Sequence, residues 1–414
     1  MATVTTIELA QLAGCDVSDI ADFVALGILS PSDGSFATAD ASRVRLALAL
    51  REAGLDTTVL AAAIADDLLS LDFAGQLMFE PISLSARGSE DLLASLGLDA
   101  GIAARLRSAI GLPALRPDQP LREDDIELMS LIAAARAFGL GDDALARVLR
   151  IFGQSVRRSV ETMRDLFRGE VEERMLASGV SRRDMLVRGA EMRLQLQRLG
   201  FRALFLLQRR MLEEAVFDNV VMRVQEVLCE AGLGEALNRR PPTVAFIDLA
   251  GFTALTQAMG DEHAADYASR LEALAQDAVS RHGGRLVKAL GDGVMLLFPE
   301  AIPALEACFA IADRGAVDGL PPVRTGLATG PVVPRDGDIF GATVNLAARI
   351  VAQVDPSTPG QMLVCPDTRD AVMAARPDAF AFHPRSPVVL KGVEKAVVLH
   401  TVAPRAEPPT PDAV

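Results

Sequence analysis

Apolar residues recur at three- and four-residue spacing through most of positions 1–232, and then the period changes. The first spacing predicts helices. Residues 1–75 break into short helical patterns around one turn cluster, SPSDGS at 30–35. A second helical block, 76–200, contains LREDDIELMSLIAAARAFGLGDDALARVLRIFGQSVRRSVETMRDLF, with Gly at helix ends. Met185 to Gly232 predicts one or two long amphipathic helices. In FRALFLLQRRMLEEAVFDNVVMRVQEVLCEAGL the apolar stripe is wide enough to seat against a partner or a neighbouring domain. AGLGEALNRRPP, at 231–242, is a linker, because Gly and paired Pro end one pattern before another begins.

Beyond the linker, TVAFIDLAGFT predicts a strand and turn, and LTQAMGDEHAADYASRLEALAQDAVSRHG a helix. RLVKALGDGVMLLFP predicts two strands around a tight turn, AIPALEACFAIADRG a helix, and VRTGLATGPVV a strand. The order is β-α-β-β-α-β, which is ferredoxin-like. GATVNLAARIVAQV, QMLVCP, DTRDAVMAA and two closing strands extend it, before a Pro-rich tail expected to be disordered. The fold class is therefore α+β: a ferredoxin-like βαββαβ domain preceded by an all-α region. The expected partition is 1–75, 76–200, a connecting helix and linker at 201–240, the α+β domain at 241–402, and the tail at 403–414.

Composition narrows the functions open to such a chain. Its 414 residues exceed one ordinary core, and half are hydrophobic, so two or more domains can each bury one. A net charge of −14 argues against a broad hold on DNA or an anionic membrane, although a local site can still bind a small anion. With no Trp and one Tyr, stacking on single-stranded nucleic acid is disfavoured. Cys15, Cys229, Cys308 and Cys365 are too scattered for a zinc site or disulfide framework and read as thiols in a reducing compartment. The start, MATVTTIELAQLAG, lacks a signal-peptide pattern, and no stretch reaches the roughly 20 apolar residues of a membrane helix. A cytoplasmic protein is expected.

The stretch IELAQLAGCDVSDIADFVALGILSP resembles the helix-turn-helix of MerR-type regulators, with SFATADASRVRLALALREAGL at the place of that family's wing and third helix. Its would-be recognition helix, VSDIADFVALG, holds two Asp and no Arg or Lys, so it cannot grip phosphates or read guanine edges. A packing or sensing module is expected there, and no nucleic-acid partner.

The candidate chemistry lies after the linker. Asp248 ends the strand VAFID, and Asp292 sits in the Asp-Gly turn of LGDGV. Alone, each reads as an ordinary cap or hairpin residue. In a ferredoxin-like sheet, however, the first strand lies beside the third, so the two carboxylates can meet. Placed together they repel unless a cation lies between them, and hard oxygen ligands favour Mg2+ or Mn2+. The backbone N–H groups of Gly251, Phe252 and Thr253 open a helix beside them and suit a polyphosphate. Such a layout serves metal-assisted phosphoryl or nucleotidyl transfer.

FIDLAGFT, LVKALGDGVMLLF and GDIFGATVNLAARI, in that order and spacing, resemble the class III adenylate cyclase catalytic domain across about residues 240–402. The resemblance implies metal binding by Asp248 and Asp292, helped by the backbone of Leu249. It implies adenine recognition by Lys288 and Asp338, ribose positioning by Asn345, and a transition-state role for Arg349. Lysine is rare here, three among 41 basic residues, and a compact ammonium suits a single ring-nitrogen acceptor better than a forked guanidinium. Guanine would set donor against donor and acceptor against acceptor at the same pair, which disfavours a guanylate cyclase. The short segment GPVVPRDGDIFG resembles the compact-hairpin subgroup of soluble bacterial cyclases.

The resemblance further implies a head-to-tail homodimer with two equivalent sites. Each would hold ATP with two Mg2+ or Mn2+ ions about 3.5–4 Å apart and yield 3′,5′-cyclic AMP and pyrophosphate. Residues 90–230 faintly resemble the helical regulatory domain of some actinobacterial cyclases, which implies autoinhibition relieved by pH or by a small-molecule or lipid-like effector. All four histidines, His263, His282, His383 and His400, fall after residue 240, so a histidine pH sensor is excluded before it. The alternative is a DNA-binding or signalling regulator that uses a cyclase-like domain as a nucleotide sensor.

Overall fold

The computed structural model describes residues 3–76, 84–85, 87–117, 121–233, 240–355, 358, 360–392 and 395–405. Residues 234–239 of the linker expected at 231–242, and the last nine tail residues, 406–414, lie outside the described residues. The chain divides into two compact units, Met1–Val224 and Gln225–Val414.

In the first unit, four helices (Thr6–Ala13, Val17–Ala25, Asp40–Glu52 and Thr57–Ala65) close over Leu9, Ile20, Phe23, Val44 and Leu60. The first starts with a reciprocal capping box between Thr5 and Glu8, which satisfies two N-terminal donors. A two-residue ribbon pairs Thr3–Val4 with Phe36–Ala37. Helices Ser89–Ser95, Ala100–Ile110, Glu123–Ala137 and Asp142–Phe167 share a second core around Leu92, Leu106, Met129 and Ile132. A π-helical turn, Arg168–Glu173, follows. Where one or two long helices were expected after 185, there is a single one, Arg182–Glu230. At 1.5 Å per residue its 49 residues run about 74 Å, longer than a small domain is wide. No described helix is long and apolar enough to cross a membrane.

The second unit has mixed α/β content. Its elements are β1 (Thr243–Leu249), α1 (Phe252–Met259), α2 (Asp261–Arg281), β2 (Arg285–Ala289), β3 (Gly293–Phe298), α3 (Ala301–Val317) and β4 (Val323–Thr329). There follow β5 (Val333–Arg335), β6 (Asp338–Phe340), α4 (Ala342–Val351), β7 (Met362–Val364), α5 (Pro366–Ala375), β8 (Phe380–Pro384) and β9 (His400–Pro404). Where one helix was expected at 255–283, the chain forms α1 and α2, because Gly260 adopts φ 89° and breaks the run between them.

Seven strands form one sheet in the order β8-β9-β7-β4-β1-β3-β2, while β5 and β6 make a separate hairpin. Period-2 alternation along β1 sends Ala245, Ile247 and Leu249 into the core under α2 and α3, and Val244 and Phe246 toward the core shared with α4. The same alternation puts Asp248 on the α4 side. That single register choice positions the site.

Candidate active site

Asp248 pairs across the sheet with Gly293 of β3 on one side and with Arg324 of β4 on the other. Asp292 precedes Gly293 in the tight turn from β2, where Leu290 N–H donates to the Gly293 carbonyl at 2.7 Å and Gly291 takes φ 82°. The two aspartates are also tied through the backbone, since Leu249 N–H donates to the Asp292 carbonyl at 2.9 Å. Position 293 has no room for a side chain: a Cβ would come within 2.8 Å of the Ile247 carbonyl. The turn therefore sits hard against the end of β1.

Burial first, and then the neighbouring Asp292 charge, push the Asp248 carboxyl above the ordinary range, while Arg324 pulls it back. Arg324 forms an ion pair with Asp248 through Nη2 and Oδ2, both side chains about one-quarter exposed (23% and 24%). Its Nε is buried without a partner among the described residues. The sequence pattern sets Asp248 and Asp292 around an external cation; the structure adds this guanidinium beside Asp248. A signal existed, because VRTGLAT is an otherwise uncharged strand carrying one arginine.

Leu249 is the last residue of β1 and fully buried. After it the chain turns through Gly251, at φ 73°, into α1. The N–H groups of Gly251, Phe252 and Thr253 find no acceptor among the described residues, as expected at a helix start. Phe252 anchors the turn by packing on the core, while Gly251 and Thr253 are exposed.

A second pair assembles nearby in sequence on β2 and β6. Lys288 Nζ lies 2.5 Å from Asp338 Oδ2. A register shift between Leu286 and Lys288 re-aims the lysine, the usual work of a β-bulge. Asp336 and Gly337, at φ 56° and 80°, turn the β5–β6 hairpin, and Arg285 Nη1 donates to the Gly337 carbonyl at 3.2 Å. Burial raises the Asp338 carboxyl, but the Lys288 hydrogen bond, the Ile339 N–H and the Lys288 and Arg285 charges hold it below the ordinary range.

Asn345 and Arg349 lie one helical turn apart on α4, Asn345 exposed and Arg349 half-buried. The opposite face, Thr343, Ala347 and Ile350, is buried. The turn at Gly392 approaches so closely that a Cβ there would sit 3.3 Å from Arg349 Nη2. Lys391, one of the three lysines, precedes this glycine in the chain.

Within one chain, then, Asp248 meets Asp292 and Lys288 meets Asp338. Among the described residues, no hydrogen bond or ion pair joins either Lys288, Asp338, Asn345 or Arg349 to the two aspartates. The donor set at the aspartates suits a hard divalent ion. It is all oxygen, and no group of three His, Cys, Asp or Glu forms a cage among the described residues. One or two carboxylates, with the remaining ligands from phosphate and water, is the ordinary Mg2+ arrangement.

No family model matches the chain. An uncharacterised protein of Mycobacterium tuberculosis is 32% identical over 308 residues, 73% of this chain and 75% of that protein. The adenylate cyclase of Streptomyces coelicolor is 32% identical over 62% of this chain and 65% of its own length. The pH-sensitive adenylate cyclase of M. tuberculosis is 29% identical over 76% of this chain and 77% of its own. With the three motifs in register and relatives of this extent, the chain belongs to the class III adenylate cyclase family.

Proposed function

We propose that this adenylate cyclase converts ATP to 3′,5′-cyclic AMP and pyrophosphate at sites shared between two copies of the chain. The observation carrying the reading is the assembly of two distinct pairs in one unit, Asp248 with Asp292 and Lys288 with Asp338. We read the β4-β1-β3-β2 order as the ferredoxin-like βαββαβ core, with the catalytic domain at 241–402.

The base is chosen by complementarity. Lys288 donates to an adenine ring nitrogen and Asp338 accepts from the exocyclic amine, whereas guanine leaves both groups unpaired. The free N–H groups of Gly251, Phe252 and Thr253 take the phosphates at the helix start. Asn345 holds the ribose so that its 3′-oxygen faces the α-phosphorus. As that bond forms and the bond to pyrophosphate breaks, Arg349 meets the charge growing on the departing oxygens. The hydroxyl proton leaves to water. Two Mg2+ or Mn2+ ions, held by the Asp248 and Asp292 carboxylates and the Leu249 carbonyl, supply charge neutralisation and acidify the 3′-hydroxyl when bound.

The aspartates come from one copy and the base, ribose and transition-state residues from the other, so a homodimer contains two sites. Residues 1–240 regulate turnover. In this assignment 1–75 is a MerR-like module, 76–200 a helical regulatory domain, and 201–240 the connection; their effector is a small molecule, a lipid or protons. We place the protein in the cytoplasm. Purified full-length protein supplied with ATP and Mn2+ should form cyclic AMP. Mixing Lys288→Ala with Asp248→Ala should restore about one site per mixed dimer. Mixed dimers that form but stay inactive reject the shared site.

A further inference from the structure

Helix α4 carries Asn345 and Arg349, so its rotation about its own axis decides where both side chains point. Two contacts fix that rotation. Near its C-terminal end, Ala347 and Val351 lie directly on Gly326 of β4: a Cβ there would fall on the Val351 nitrogen and within 2.9 Å of the Ala347 carbonyl. In its first turn, Thr343 is 7% exposed and donates Oγ1–H to the Pro331 carbonyl at 2.7 Å. A threonine deeper in a helix can bond back to the carbonyl four residues earlier, but Thr343 is the second residue of α4 and has no carbonyl of its own helix there. Thr343 instead reaches twelve residues back, onto the strand-end loop that follows β4.

The loop is held closely on both sides. Gly330 leaves no space, since a Cβ there would lie 2.6 Å from Thr343 Oγ1. Its N–H donates to the Pro242 carbonyl at 3.0 Å, just ahead of β1. Beside it, the buried hydroxyls of Thr243, Thr329 and Thr368 are linked at 2.7 and 2.9 Å. A fixed acceptor, a fixed donor and a contact that admits only glycine together form a latch on the first turn of α4.

We propose that Thr343, seated on Gly330 and Pro331, is a positioning residue that sets the rotation of α4 and hence the aim of Asn345 and Arg349. The inference rests on the catalytic reading of those two residues. The lever is short but sufficient. A guanidinium about 6 Å from the helix axis moves about 1 Å for a 10° turn, a displacement that costs on the order of 100-fold in rate when the geometry is catalytic.

The test uses the full-length dimer with ATP and Mn2+. Thr343→Val keeps the shape and deletes the hydroxyl; it should lower kcat about 10- to 100-fold while KM for ATP stays within about twofold. Thr343→Ser, which keeps the hydroxyl, should recover most of the rate. Gly330→Ala should lose rate comparably. Gly330→Ala combined with Thr343→Ala should be no worse than Thr343→Ala alone, because the clash and the hydrogen bond share one hydroxyl. Wild-type kcat in Thr343→Val, equal losses in the Ser and Val variants, or additive losses in the double variant each overturn the proposal. Should Thr343→Val not fold, the Ser variant and the Gly330 cycle decide it. Arg349→Ala run in parallel separates the two ideas. If it retains full turnover, the catalytic reading fails; if it is inactive while Thr343→Val is not, only the latch fails.

Discussion

The two ends of β1 solve the problem of polar groups in a sheet in opposite ways. Thr243 opens the strand fully buried, its hydroxyl joined to Thr329 and through it to Thr368. Asp248, about 17 Å further along by strand rise, sits partly exposed among Asp292, Arg324 and the α1 helix start. The first end is neutral and internally satisfied, so it supplies rigidity and needs nothing from outside. The second carries like charges that one arginine only partly offsets, which is where the proposed function puts a cation and a polyphosphate. Neutral hydroxyls brace one end, and partly offset carboxylates charge the other.

Substitutions at the two ends should therefore separate activity from stability. Asp292→Ala should give the largest effect, lowering cyclic AMP formation more than about 100-fold, with thermal unfolding little changed. Equal turnover in that variant would remove the carboxylate pair from the chemistry. Lys288→Ala should come next, narrowing the preference for ATP over GTP by about 10- to 100-fold, the worth of one hydrogen bond to a charged group. Rates with both nucleotides check it. At the quiet end, Thr329→Val removes the middle of the hydroxyl chain and should cost about 1–3 kcal/mol in denaturant unfolding, with kcat retained.

The smallest effect concerns His400, which is 3% exposed. Burial, and then the Arg369 charge beside it, hold the imidazole below its usual pKa of 6.5, against a weaker opposing pull from Asp370. A histidine depressed in the fold takes up protons more readily when unfolded. Its contribution is complete above about 6.5 and is lost as pH falls through that value. The unfolding midpoint should therefore drop between pH 7.5 and 5.5, and His400→Gln should flatten the slope. An unchanged slope would show that this end of the sheet is not pH-sensitive through His400.

Much of this architecture was legible in the sequence because it depends on local pattern. The Asp-Gly turn, the strand VAFID and the four-residue step from Asn345 to Arg349 are short-range signals, and the structure brings Asp248 to Asp292 and Lys288 to Asp338. What escaped depends on register between distant segments. Arg324 meets Asp248 across 76 residues, and Thr343 meets Pro331 only after a hairpin intervenes. The break at Gly260 escaped for another reason: apolar spacing continues smoothly across it, so only the backbone angle reveals it. In the first unit, the π-helical turn at Arg168–Glu173 leaves the helical pattern intact and gives no compositional sign.

The bond between Lys288 and Asp338 has one more consequence. Lys288 and Asp338 satisfy each other at 2.5 Å, so under the proposed roles a base exchanges that bond for one to each group. A purine offering only one matching edge forfeits the pairing and recovers half of it, whereas adenine recovers both. Under those roles, selectivity between purines comes at the expense of tight grip on any of them.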